Sequence, residues 1–86
     1  MDFIKEEGRI YLEDKNGKVI AEITYEDMKD GTYNINHTFV DESLRGQGIA
    51  QKLVEEAIKE IKNKNGKITA TCTYAKRYLE KNRIDN

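Results

Sequence analysis

The chain has 86 residues and a mass of 10.0 kDa, enough for one domain spanning 1–86, since a division would leave two halves too small to build a core. It is 37% hydrophobic and 36% charged, but 15 Lys and Arg nearly cancel 16 Asp and Glu to leave a net charge of -1, whereas disorder pairs low hydrophobicity with high net charge. A small water-soluble globular domain is expected, and a pI near 5.8 with no basic block argues against a dedicated nucleic-acid binder.

In chain order, Arg9–Glu13 alternates, with Ile10 and Leu12 on one face of a strand. Asp14-Lys15-Asn16-Gly17 follows; Asn-Gly between alternating runs is a strong hairpin signal, because both residues tolerate positive φ. Residues 18–25 form a second strand with Val19, Ala21, Ile23 and Tyr25 on one face, and Asp27-Met28-Lys29-Asp30-Gly31 turns the chain again. Thr32–Val40 reads as a third strand, with Tyr33, Ile35, His37 and Phe39 on one face and Asn34, Asn36, Thr38 and Val40 on the other.

The period then changes. Ile49, Ala50, Leu53, Val54, Ala57, Ile58 and Ile61 form one apolar stripe on a helix, which Asn63-Lys64-Asn65-Gly66 closes with residues that tolerate the left-handed region. Residues 67–73 are a short strand with Ile68, Ala70 and Cys72 on one face, and Tyr74, Ala75, Tyr78 and Leu79 mark a shorter helix. A strand, helix and strand in succession imply a right-handed crossover and a parallel final pair. The expected class is α/β (α+β), with order βββαβα.

Several chemistries are excluded. No apolar run reaches the roughly 18–20 residues of a membrane span, so no membrane partner is expected. The opening Met1-Asp2-Phe3-Ile4-Lys5-Glu6-Glu7 has neither the basic nor the long apolar region of a signal peptide. One cysteine, Cys72, and one histidine, His37, cannot assemble a Cys/His zinc site, and a lone thiol suits the reducing cytoplasm.

The segment with chemical promise is Asp41-Glu42-Ser43-Leu44-Arg45-Gly46-Gln47-Gly48-Ile49-Ala50, where a strand feeds a helix amino terminus. The first helical turn has free N–H groups and a partial positive end, and glycine lets an anion approach the backbone. Arg45 adds a permanent charge at the mouth. The alternative is a glycine-rich turn that merely starts the helix. No Gly-Lys-Ser/Thr follows, so this is not a Walker A loop, and Gln51 stands where a dinucleotide fingerprint would have its third glycine.

The run Arg45-Gly46-Gln47-Gly48-Ile49-Ala50 resembles the Arg/Gln-x-x-Gly-x-Gly/Ala acyl-CoA signature of Gcn5-related N-acetyltransferases, the GNAT superfamily. His37-Thr38-Phe39-Val40 and Cys72-Thr73-Tyr74-Ala75-Lys76, continuing to Asn82, are similar to runs of its minimal GNAT-like branch, so the resemblance covers roughly Arg9 to Asn82. Larger members have amino-terminal helices and a carboxy-terminal hairpin that shape the acceptor pocket, and neither is read here. The resemblance implies a minimal GNAT-like fold with a splayed parallel strand pair. It further implies acetyl-CoA as cosubstrate, with no metal, and acetyl transfer to an amine of unknown identity on a protein, peptide or small molecule. The pyrophosphate would lie on the backbone of Arg45, Gly46, Gln47, Gly48, Ile49 and Ala50. The pantetheine arm would pair with the strand edge at Thr38, Phe39 and Val40. A non-catalytic acyl-CoA-binding or small protein-interaction module is the alternative, and a monomer is expected.

Transfer to an amine needs donors for the developing oxyanion and a proton for the leaving thiolate. A backbone N–H near Phe39 or Val40 is the expected oxyanion donor. The resemblance marks Cys72 as a catalytic candidate, either taking the acetyl group itself or standing beside a direct transfer; otherwise it is a small buried residue in line with Ile68 and Ala70. His37 is either a core imidazole on the Tyr33 and Ile35 face or a general base able to activate Cys72. Tyr74 and Tyr78 each offer a hydroxyl to the leaving sulfur, and their i, i+4 spacing equally suits a core-facing stripe. Lys76, Arg77 and Asn82 read as surface residues that need no role, though they are able to touch CoA phosphates or substrate.

Overall fold

The computed structural model describes residues 2–82. Five strands form one sheet in sequence order: β1 (Ile4–Glu6), β2 (Arg9–Glu13), β3 (Val19–Asp27), β4 (Thr32–Val40) and β5 (Lys67–Ala70). The first four are antiparallel neighbours, and β5 joins β4 in parallel. Helix α1 (Ile49–Asn63) makes the crossover between β4 and β5, and α2 (Thr73–Lys81) follows β5. The expected meander, crossover and parallel pair are all present, with one strand more than the sequence reading gave.

That extra strand is β1. Its residues Ile4, Lys5 and Glu6 are all exposed, so no apolar alternation announces it. It is held at the edge by pairing of Ile4 with Tyr11 and Glu6 with Arg9, and on the helix side by Lys5, whose Nζ lies 2.7 Å from Glu56 of α1.

The core is a single layer between the sheet and α1. Ile10, Leu12, Ala21, Ile23, Tyr25, Ile35 and Ile68 meet Leu53, Val54, Ala57, Ile58 and Ile61 of the helix. Each fully buried Ile or Leu contributes about 1.5–3 kcal/mol relative to exposure, so the stripe that identified the helix also docks it. The 14–17 hairpin departs from the expected turn in its backbone angles. Only Gly17 takes positive φ (+82°), while the Asp14 carboxylate accepts from the Asn16 and Lys18 N–H groups.

The consequential departure lies in β4. Thr24 of β3 pairs with His37, but the next residue, Tyr25, pairs with Ile35. Asn36 is therefore an extra, unpaired residue, a β-bulge. A bulge shifts the phase of the side chains beyond it. Tyr33 and Ile35 keep the core face, but Thr38 and Val40 take it over after the bulge, and His37 and Phe39 turn to the opposite, open face, where Phe39 is 40% exposed. The expected alternation over Thr32–Val40 thus holds only up to Ile35.

Candidate functional site

The loop from β4 to α1 is built by local hydrogen bonding. Asp41 ends the strand with its N–H on the Ile20 carbonyl (2.8 Å). Its carboxylate accepts from the Ser43 N–H and hydroxyl at 3.0 and 2.6 Å, which hold that carboxyl below its ordinary range and start a short 3-10 turn at Glu42–Leu44. The chain then extends through Arg45 and bends at two left-handed residues, Gly46 (φ +83°) and Gly48 (φ +71°). A Cβ at either glycine would meet nothing within 4 Å, so the bend opens on free space.

Gly48 is also the N-cap of α1. Helices normally close this end with a Ser, Thr, Asp or Asn side chain, but here no side chain caps the helix and no acidic residue stands in the first turn. The first helical bond is from Lys52 N–H to Gly48, which leaves the N–H groups of Ile49, Ala50 and Gln51 without intrahelical acceptors. Among the described residues Arg45 has no ion-pair partner. Open donors, a helix dipole and a free guanidinium form a receptor for an anion.

Beside this cradle the sheet parts. β5 pairs with β4 only from Thr32 to Ile35, and the Thr71 and Cys72 N–H groups both finish on the Ile35 carbonyl (3.1 and 3.2 Å). From there β5 leaves. Successive residues of a strand present their backbone to alternate sides; since Asp41 bonds to β3, Phe39 and His37 do so too, and Thr38 and Val40 offer their N–H and C=O groups to the gap. Of the two N–H groups expected as oxyanion donors, that of Phe39 faces β3, whereas that of Val40 faces the opening. A cleft of about 390 Å³ occupies this place, lined by Thr38, Val40, the loop and Tyr74, within the size range of small-molecule sites.

Cys72 stands at the departure of β5. The strand ends at Ala70, so Cys72 is the N-cap of α2 and not a strand residue as the sequence suggested. Its thiol donates to Thr38 Oγ1 at 3.3 Å. Burial pushes the thiol pKa up, but the Thr38 hydroxyl and the N–H groups of Ala75, Tyr74 and Thr38 outweigh it, leaving the group below its ordinary 9.0. The two helix amides act at a distance, without closing a cap hydrogen bond. A thiol of lowered pKa at a helix amino terminus is a competent nucleophile.

The other sequence candidates divide by the bulge. Thr38, Val40, Arg45, Gly46, Gly48, Ile49, Ala50 and Tyr74 line the cleft, and so do Leu44 and Gln51, which the sequence reading left out of the site. In the sequence Gln51 stands out only as the residue in place of a fingerprint glycine; its position in the first turn of α1 is the signal that marks it. Gln47 and Phe39 are not among the lining residues. His37 is neither a core imidazole nor a neighbour of Cys72. It is exposed on the open sheet face, with Nε2 3.6 Å from Glu22, which also pairs with Arg9. Tyr78 is half-buried and donates its hydroxyl to Glu55 of α1 at 3.1 Å. Among the described residues no group of three or more His, Cys, Asp or Glu is placed to hold a metal, and no helix is long and apolar enough to cross a membrane.

The profile of the GCN5-related N-acetyl-transferase family matches residues 9–85. The chain belongs to this family. Its sequence is 32% identical over 62 residues to Protein NATD1 of Xenopus tropicalis, across 72% of the chain and 57% of that relative, so it spans little more than half of the curated relative's length. The solution structure of a GCN5-like protein from Staphylococcus aureus superposes with a TM-score of 0.77 at 36% identity, covering 94% of this chain and 79% of that one. A Bacillus anthracis protein solved in complex with acetyl coenzyme A shares the fold at a TM-score of 0.64 and 19% identity, over 85% of this chain and 44% of its own. The five-stranded sheet, with its antiparallel meander, parallel final pair and two helices, is thus a GNAT fold.

Proposed function

We propose that this GNAT domain binds acetyl-CoA and transfers its acetyl group to an amine. The observation that carries the reading is the continuity of the uncapped α1 terminus with the gap between β4 and β5, both opening on one cleft. The pyrophosphate would take the free N–H groups at Gly46 to Ala50 with Arg45 beside it. The pantetheine amides would pair with Thr38 and Val40 as an added strand. This brings the thioester toward Thr38, the contact of Cys72.

In the proposed route the Cys72 thiolate attacks the thioester carbonyl carbon, and the Val40 N–H meets the oxyanion. The carbon–sulfur bond to CoA then breaks, and the Tyr74 hydroxyl, which lines the cleft, gives its proton to the departing thiolate. The amine attacks the acetyl-cysteine, forming the amide and returning the thiolate. His37, exposed on the open face, would serve as base toward an amine arriving from that side, since it does not contact Cys72. The lone thiol fits a reducing cytoplasmic setting, and the charge near zero gives no steering field toward the acceptor.

Intact-protein mass spectrometry after mixing with acetyl-CoA tests this route. An acetyl adduct on Cys72 that discharges on addition of amine is expected, and Cys72→Ala should abolish both the adduct and CoA release. Full CoA release by Cys72→Ala would replace the covalent route with direct attack by the amine. Arg45→Glu should leave the fold intact and weaken acetyl-CoA binding at least tenfold, the scale of a lost charge-assisted contact; unchanged affinity would remove the cradle assignment.

A further inference from the structure

His37 is the one histidine of the chain, and on the open sheet face it stands in a built setting. Its direct partner on β3 is Thr24. The longer Glu22 reaches it from the diagonal position, with Oε1 3.6 Å from Nε2, a reach that long side chains have across a sheet. The bulge at Asn36 creates this pair, since without the extra residue His37 would turn toward the helices.

The carboxylate is itself held in place. Its other oxygen, Oε2, accepts from Nε of Arg9. Arg9 lies over the Tyr11 ring, 3.7 Å from its centre, and reaches Oε1 of Glu6 on β1, whose Oε2 accepts from the Tyr11 hydroxyl at 3.2 Å. Glu6, Tyr11, Arg9, Glu22 and His37 thus form one run of contacts across β1, β2, β3 and β4, and it leaves Tyr11 only 8% exposed on the uncovered face. Partly exposed ion pairs contribute little to stability, so this run is a weak staple for the sheet. What it does achieve is one fixed carboxylate beside the imidazole.

We propose that Glu22 is a positioning residue for the transfer: anchored by Arg9, it keeps Nε2 of His37 as the N–H end of the ring and leaves Nδ1 to take a proton from the attacking amine. The proposal rests on the reading of His37 as base given above. In the second step the amine nitrogen bonds to the carbonyl carbon of the acetyl-cysteine, and one N–H proton passes to Nδ1. The carbon–sulfur bond breaks, and its electron pair returns to the Cys72 sulfur as thiolate. The imidazolium so formed carries a proton on both nitrogens, and the nearby carboxylate of Glu22 stabilises it. The first step, acetyl transfer from CoA to Cys72, creates no charge on His37. Glu22 therefore acts on the second step alone.

Rapid mixing followed by intact-protein mass spectrometry separates the two steps in the full chain: the acetyl adduct forms from acetyl-CoA and is then discharged by n-butylamine. Wild type, Glu22→Gln, His37→Gln and the double variant are compared at one pH. Glu22→Gln keeps the shape and an acceptor oxygen and removes only the charge, and circular dichroism verifies the fold. It should form the adduct at the wild-type rate and discharge it roughly fivefold more slowly, the upper end of what a partly exposed ion pair supplies. The loss should fall on kcat, with the KM for butylamine unchanged. In the His37→Gln background, Glu22→Gln should cost nothing further, because no imidazolium is left to stabilise, whereas a structural role would carry its loss into that background. Undiminished discharge by Glu22→Gln, a loss shared by both steps, or the same fivefold loss without His37 would each overturn the proposal while leaving His37 as the base. Discharge by wild type no faster than by His37→Gln would remove the base and the proposal together. Absence of the adduct on wild type would remove the covalent route and, with its second step, this proposal.

Discussion

Gly48→Ala separates the two demands made on the cradle, fold and ligand. At φ +71° an L-residue costs about 1–2 kcal/mol, and alanine recovers roughly 0.4–1 kcal/mol by restricting the unfolded chain. No steric cost is added, since the new Cβ meets nothing within 4 Å. The net loss is about 1 kcal/mol, or roughly 4–8 °C in Tm for a domain of this size. Gly17, in the 14–17 hairpin, is a matched control: its φ is +82° and its Cβ would also meet open space, so Gly17→Ala should lower the Tm by the same amount.

The two variants should part when acetyl-CoA is added. A ligand at about 100 times its Kd stabilises by about 2.7 kcal/mol, which corresponds to roughly 10–20 °C here. A methyl group in the cradle excludes the diphosphate from the backbone, and a tenfold loss of affinity alone removes about 1.4 kcal/mol of that rise. Thermal melts with and without acetyl-CoA should therefore show an undiminished rise for Gly17→Ala and at most half of it for Gly48→Ala. Equal rises in the two variants would refute the claim that the diphosphate approaches the backbone at Gly48.

Three further outcomes follow from the packing and electrostatics. Thr38→Val should move the pH profile of Cys72 alkylation by iodoacetamide to higher pH, because the hydroxyl is the largest influence lowering that thiol; an unmoved profile would detach Thr38 from the nucleophile. Glu56→Gln should cost about 0.2–1 kcal/mol near neutrality, as expected for a partly exposed pair. Lys5 and its hydrogen bond hold Glu56 below 4.5, and Glu56 in turn raises Lys5 above 10.5, so this difference in urea melts should be full between those values, fading as pH falls through the lowered carboxyl or rises through the raised amine. Gly66→Ala places a Cβ 2.5 Å from the Tyr33 ring and 3.0 Å from Ile61, and should lower stability by about 1–3 kcal/mol; a loss under about 0.5 kcal/mol would show that Tyr33 yields freely.

What the sequence exposes and what it hides follow from the forces that shape each element. Helix α1 was legible because one apolar stripe does two jobs, folding the helix and docking it. Thr32–Val40 was legible in extent because its residues favour strand throughout, and the glycine loop because its spacing is itself the device. β1 was hidden: an edge strand of exposed Ile4, Lys5 and Glu6 is held by backbone pairing and one lysine, neither of which leaves a periodic trace. The end of β5, read to residue 73 but lying at Ala70, was hidden for a similar reason, as Cys72 caps α2 without a cap hydrogen bond. The bulge was hidden because Asn36 carries no glycine or proline signal. One trace remains, since Ile35 and Val40 both turn to the helix side although they are five residues apart, and an odd spacing within one strand requires a slip of phase.

That slip is what assembles the candidate site. Without the extra residue, His37 would point inward and Thr38 outward, and the hydroxyl that contacts the Cys72 sulfur would lie on the wrong face of the sheet. The same residue ends the ladder to β5, since pairing stops at Ile35, so the gap and the threonine beside it arise from one local event. A bulge costs some hydrogen bonding in the strand that carries it; here the backbone groups withdrawn from β5 are those of Thr38 and Val40, which a bound pantetheine chain would pair again. The exposed phase matters as much. It places His37 and the half-exposed Phe39 ring on the uncovered face of the sheet, so in the proposed reaction an amine reaching the thioester from that side would meet a base and an apolar surface, while the coenzyme would lie on the side of the helices. Under the proposed reaction, one inserted residue would thus give the two substrates different faces of a single sheet.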